Sequence, residues 1–174
     1  MIKINKINTQ FISDLVSNLK FKYKTSDPFE LCECLNINVL FRDLGTVKGL
    51  YKYYKRNRFI VINSCIDFSE QRIVCAHELG HDRLHGKLIR NAYLFDTRLD
   101  DFSLKPEFEA NVFSSELLID DDYILEKCNS SRTYAELAFG AGVSEALVRI
   151  KCAVMKTRGE KMSENTEFDY DIFR

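Results

Sequence analysis

All three histidines of the chain fall in one stretch, "VCAHELGHDRLHG" from Val74 to Gly86, at His77, His81 and His85. A four-residue repeat of this kind predicts a helix, because side chains four apart stand one above the other, about 5–6 Å between them. His77 and His81 can then grip one ion from a single face. Glu78 lies about 100° further round, beside that ion rather than on it. This is the pattern H-E-x-x-H, in which two imidazoles bind zinc and the glutamate takes a proton from the water that the metal activates. Gly80 inside the motif costs about 1 kcal/mol against Ala in a helix, which predicts a close neighbour there. His85 stands one more turn along, about 6 Å, and is expected to cap or pack rather than share the ion.

The helix is expected on separate grounds. "DFSEQRIVCAHELGHDRLH" opens with Asp67 and carries Glu70 three residues later, a capping box with an acid in place of Ser or Thr. A catalytic zinc takes three protein ligands and keeps one position open. With no fourth histidine, the third ligand has to be a carboxylate. The helix predicted over "PEFEANVFSSELL" offers Glu107, Glu109 and Glu116. Glu107 and Asn111 are four apart and share a face, so a ligand at Glu107 would let Asn111 steady a histidine ring. Glu109 points about 160° away from Glu107. It lies on the side of Phe113 and Leu117, and only one of the two glutamates can face the metal. Alternatively, both are first-turn acids favoured by the helix dipole.

Around these two helices the chain reads as a mixture of elements. Phe11, Ile12, Leu15, Val16 and Leu19 fit one helix face. In "SDPFELCECLNINVLF", Asp27 can cap, Pro28 suits the first helical position, and Ile37 to Phe41 alternate as in a short strand. "GLYKYYKRNRFIVIN" reads as two strands around a polar turn at Lys55–Arg58. Residues 86 to 105 show no sustained period and are expected to form a loop with a short embedded element. A helical region should run from about Tyr123 to Lys156, and the polar end after it should be disordered.

Composition narrows the functional classes. Forty-five percent apolar and 12% aromatic residues support a sizeable core, and a net charge of −1 excludes a general polyanion binder without excluding a local basic surface. Such a surface is suggested by Arg42, Lys48, Lys52, Lys55, Arg56 and Arg58, interleaved with Tyr51, Tyr53 and Tyr54. A hairpin of this kind could draw an acidic segment of a protein target onto its edge strand, or could be a solvated edge protected by lysines. The six cysteines form no C-x-x-C pair and read as reduced thiols. With no signal-like start and no apolar run near the roughly 18 residues of a membrane span, a cytoplasmic protein is expected. "ELAFGAGVSEALVRIKC" has the spacing of a helix-turn-helix, with Gly142 at the turn. Its second helix offers only Glu145, Arg149 and Lys151 as exposed base readers, so a packing appendage is favoured over a DNA reader.

The segments "DPFELCECLNINVLF", "GLYKYYKRNRFIVINS", "RIVCAHELGHDRLHG" and "EFEANVFSSELLI", in this order, resemble the ImmA/IrrE family of metallopeptidases. The pairing of His-Glu-Leu-Gly-His with Glu-x-x-Ala-Asn-x-Phe is the specific part. The resemblance implies zinc on His77 and His81, with Glu107 as third ligand and Glu78 as catalytic glutamate. It looks closest to the anti-repressor proteases of phages and integrative conjugative elements, which implies cleavage of a helix-turn-helix repressor and release of its genes. Ser114-Ser115 and Leu118-Ile119-Asp120 depart from the family's usual Ala-Ala and Leu-Leu-Met-Pro.

The combined expectation is an α+β chain. Residues 1–125 would form a zincin-like peptidase core, with a small mixed or antiparallel sheet beside the H-E-x-x-H helix. Residues 126–158 would form a helix-turn-helix-like appendage, and 159–174 a disordered tail. The rival function is a DNA-binding regulator or partner-binding protein whose metal site is not catalytic.

Overall fold

Local capping sets the first boundaries. In the computed structural model, which describes residues 7–92, 104–128 and 132–160, Asn8 accepts a hydrogen bond from the Phe11 N–H and opens α1 (Thr9–Tyr23). The Asp27 carboxylate takes the N–H groups of Phe29 (2.7 Å) and Glu30 (3.1 Å), and Pro28 fills the first position of α2 (Pro28–Cys34). Both follow from side-chain oxygens satisfying N–H groups that a helix start leaves unpaired. Ile12, Val16 and Leu19 turn inward as the periodicity predicts, whereas Phe11, assigned to the same face, is 56% exposed.

The sheet has three strands, β1 (Asn38–Arg42), β2 (Gly49–Tyr54) and β3 (Asn57–Asn63), in the order β1-β3-β2. β1 runs parallel to β3, with Asn38 opposite Phe59, and β2 runs antiparallel to it, with Tyr51 opposite Ile60. The turn is tighter than the expected Lys55–Arg58. Only Lys55 (φ 46°) and Arg56 (φ 65°) lie outside the ladder, while Asn57 and Arg58 already pair with Tyr54 and Tyr53. Two consecutive positive φ angles are the mirror-image turn that matches strand twist. Ile60 and Ile62 are fully buried.

The helix α3 (Phe68–Gly80), capped by Asp67 on the Glu70 N–H, packs across β3 and β2. It runs without a break into a π-helical turn at His81–His85 and then α4 (Gly86–Ala92). This corrects the expected loop from residue 86. Gly86, the first residue of that expected loop, has a helical φ of −56°. Residues 93–103 of that expected loop lie outside the described residues.

The next helix, α5 (Leu104–Leu118), lies against α3, α1 and α8 (Glu145–Thr157), with Ala110, Val112, Phe113 and Leu117 fully buried. Ser114 and Ser115 are buried too, and their hydroxyls donate to the helix's own carbonyls at Ala110 and Val112. They therefore leave no unsatisfied polar group at these two positions. α6 (Asp121–Cys128) follows, then α7 (Tyr134–Ala141), which Thr133 and Glu136 open with a reciprocal capping box and Gly142 (φ 62°) closes.

In the segment expected to resemble a helix-turn-helix, the second helix, α8, is mostly covered. Leu147, Val148, Ile150, Cys152, Val154 and Met155 join the same buried cluster as α1, α3 and α5. Lys151, expected to be exposed, is 1% exposed. Its Nζ lies 3.0 Å from Glu116 Oε1 and also meets the Asp121 carboxylate, while Arg158 reaches Glu116 (3.2 Å) and Asp121 (2.7 Å). A buried charge without its partner is costly, so Lys151→Met is expected to lose about 3 kcal/mol in urea unfolding. An unchanged unfolding midpoint and slope would contradict the closed network. Among the described residues no helix is long and apolar enough to cross a membrane.

Candidate active site

The site forms where α5 crosses α3 and the π turn. A methyl group added at Gly80 would sit 3.1 Å from the Ala110 Cα and 3.2 Å from the Phe113 Cβ. Glycine thus lets the two helix backbones approach, the close neighbour that its place in the motif predicts. Gly80→Ala is expected to push α5 away, costing about 1–3 kcal/mol of stability and weakening metal uptake. Thermal unfolding and metal titration of the variant check this, and an unchanged affinity would show that the crossing does not set the site.

At the crossing, His77 Nε2 and His81 Nε2 lie 3.1 Å apart, and the Glu107 carboxylate lies 3.2 Å from each, through Oε2 and Oε1. A tetrahedral ion with bonds of about 2.0 Å places its ligand atoms about 3.3 Å apart, so the donor set and its spacing fit one small divalent cation. Among the described residues, His77, His81 and Glu107 form the one cluster that could hold a metal ion. Asn111 Oδ1 lies 2.9 Å from His77 Nδ1. An amide oxygen only accepts, so the His77 proton sits on Nδ1 and its Nε2 lone pair faces the cluster. The four residues read from the two motifs are therefore brought together.

Glu78 is 9% exposed. Burial first, and then the charge of Glu107, push its carboxyl up to about 7, against a hydrogen bond from the backbone of Tyr51. That N–H is available because of the strand register. Asn63 N–H donates to the Lys48 carbonyl, so Leu50, Lys52 and Tyr54 bond to β3 while Gly49, Tyr51 and Tyr53 turn their backbone groups outward. Burial, with His77 and His85 also opposing a charge, lowers His81 to about 4 and favours the neutral imidazole, although Glu107 pulls the other way.

Two features escaped the sequence. One is the Tyr51 N–H, a backbone group that no residue pattern marks. The other is Glu109, whose carboxylate lies 3.0 Å from His85 Nε2 rather than standing as an idle first-turn acid. The basic hairpin is also partly engaged. Lys48 pairs with Glu70 at 2.5 Å, and Arg58 pairs with buried Asp82 at 3.1 Å and donates to the Leu35 carbonyl.

Two helices thus present a metallopeptidase-like cluster beside a small mixed sheet, and comparison with known proteins agrees. Residues 32–152 match the peptidase family M78, described as the IrrE N-terminal-like domain. The chain is 41% identical over 142 residues to the uncharacterized immunity region protein 2 of Bacillus phage phi105, covering 80% of this chain and 88% of that one. It is 32% identical over 102 residues to the metallopeptidase ImmA of Bacillus subtilis strain 168, covering 59% of each. The chain belongs to the ImmA/IrrE metallopeptidase family. Membership supports a metal-dependent protease with a protein substrate.

Proposed function

We propose that the chain is a zinc-dependent endopeptidase that makes site-specific cuts in a helix-turn-helix repressor of a mobile genetic element and so derepresses its genes. The observation that carries the reading is the convergence of His77 Nε2, His81 Nε2 and the Glu107 carboxylate within 3.2 Å, with buried Glu78 next along the same helix. The likeness to a phage immunity region protein and to ImmA supports the choice of target. In this reading residues 1–125 form the zincin-like catalytic part, and 126–158 the helix-turn-helix-like segment that packs on it. The protein works in the cytoplasm, where its repressor is.

A bound Zn2+ would polarise the scissile carbonyl and make water acidic enough to lose a proton near neutral pH. His77, His81 and Glu107 would hold it, with Asn111 fixing the His77 ring. Glu78 receives the proton of the attacking water as general base, then returns it to the leaving amine as general acid. A carboxyl near 7 suits both halves of that cycle. With a cation held by Glu107, that residue would oppose the ionisation of Glu78 less, favouring the base form. The Tyr51 N–H keeps that carboxylate aimed from the sheet edge. The rival DNA-binding reading loses support from Lys151, which is buried, and from Arg149, which bonds Glu145 through Nε (3.0 Å) and Nη2 (2.6 Å).

The test is co-expression with a helix-turn-helix repressor encoded beside the gene, following the repressor's intact mass. Two discrete fragments whose masses sum to the repressor plus one water support the reading. An uncut repressor that co-purifies with the protein would make it a binder instead.

A further inference from the structure

His85 is 6% exposed and Glu109 partly covered, and neither has a task in the chemistry above. Together they form a chain that ends on a candidate ligand. His81 Nδ1 lies 3.3 Å from His85 Nδ1, His85 Nε2 lies 3.0 Å from Glu109 Oε2, and Lys105 Nζ lies 3.6 Å from the other Glu109 oxygen. We propose that His85 and Glu109 are positioning residues that fix the tautomer and orientation of His81. The inference rests on the reading of His77, His81 and Glu107 as a metal site.

The polarity of the chain follows from what each atom can do. A carboxylate only accepts, so the proton between His85 and Glu109 belongs to His85 Nε2. A neutral imidazole with its proton on Nε2 has a lone pair on Nδ1. With the His85 ring neutral, its Nδ1 accepts and His81 Nδ1 donates to it. With its proton on Nδ1, His81 presents a bare Nε2 to His77 and Glu107, the form a metal requires. The opposite tautomer of His81 would set two lone pairs against each other at 3.3 Å and aim an N–H into the cluster. With the proton on His81 Nδ1, four atoms that only accept, the two Nε2 atoms and both Glu107 oxygens, converge at 3.1–3.2 Å, which a cation relieves.

The backbone supports this placement. The π-helical turn at His81–His85 is held from its other side by Asp82, whose buried carboxylate takes Arg58 Nη1 at 3.1 Å. π-helical turns inside α-helices are rare and concentrate at functional sites. α5 thus supplies the candidate ligand Glu107 and anchors both histidines, His77 directly through Asn111 and His81 through Glu109 and His85.

The test compares zinc affinity, by competition with a chelator, with the His81 tautomer, by long-range proton–nitrogen NMR of the metal-free protein. His85→Phe keeps a ring but removes the acceptor, and is expected to weaken zinc binding about 10- to 100-fold and to move the His81 proton off Nδ1. His85→Asn places an amide oxygen near the position of Nδ1 and should restore most of the affinity. Glu109→Leu should weaken binding, while Glu109→Gln, whose carbonyl accepts the same bond, should keep it. These four variants separate lost polarity from lost packing. Zinc binding by His85→Phe equal to that of the unmodified protein overturns the inference and leaves the metal site standing. If the unmodified protein takes up no zinc, the metal reading itself fails. The tautomer still decides the chain: a proton on His81 Nδ1 supports it and one on Nε2 overturns it.

Discussion

Glu78→Gln is expected to lower peptide-bond cleavage about 10²- to 10⁴-fold while the protein keeps its metal. Glutamine has nearly the same shape and can still accept the Tyr51 N–H, but it cannot take a proton from water. Repressor fragments seen with the unmodified protein should vanish, and metal content should stay the same. Cleavage that persists in the variant would remove Glu78 from the chemistry.

The same substitution has a second, opposite effect on the metal-free fold. The Glu78 carboxyl stands at about 7 against an ordinary 4.5. Between those values the unfolded chain releases this proton while the folded protein keeps it, so stability falls as pH rises through that window. His81 stands at about 4 against 6.5. There the unfolded chain keeps its proton longer, so stability rises over that range. The two contributions oppose each other through most of their span. Without Glu78, the rise from His81 should stand alone, and Glu78→Gln should gain roughly 2–3 kcal/mol over the parent by pH 7. Chelator-treated samples unfolded in urea at pH 5 and pH 7.5 provide the comparison. Parallel curves for the two proteins would mean that Glu78 is not strained by its burial.

Glu107→Gln is expected to strip the metal, with affinity falling by more than 10²-fold, while Glu109→Gln retains it. The two glutamates are two residues apart on α5 and point to different histidines. Glu107 lies 3.2 Å from both His77 and His81, whereas Glu109 meets His85. A neutral amide gives up the charge that draws a divalent cation, a loss that matters at Glu107. At Glu109 the amide oxygen still accepts from His85. Metal content after dialysis, measured by elemental mass spectrometry, decides between the positions. Loss of metal from Glu109→Gln and retention by Glu107→Gln would exchange their roles.

Features written in adjacent residues were legible in the sequence. Asp27 and Asp67 cap the helices they precede, Gly142 ends α7, and His77, His81, Glu107 and Asn111 meet because four-residue spacing fixes a helix face. Features settled by distant partners were not. Lys151 reads as a surface lysine until Glu116, 35 residues away, neutralises it inside the protein. Glu109 does face away from Glu107, as the helix angle requires, but periodicity cannot show that His85 stands on that side. Gly86 continues the π turn directly into α4, where the sequence shows no sustained period. The Lys55-Arg56 turn lacks the glycine or asparagine that usually marks positive φ, so its two-residue length could not be read.

The most direct test of the metal centre is a crystal structure of the zinc-loaded protein with anomalous scattering recorded across the zinc edge. One peak per chain is expected, about 2.0–2.2 Å from His77 Nε2, His81 Nε2 and a Glu107 oxygen, with His85 and Glu109 outside bonding distance. A peak bound through His85 or Glu109, or no peak at the crossing of α3 and α5, would contradict this assignment.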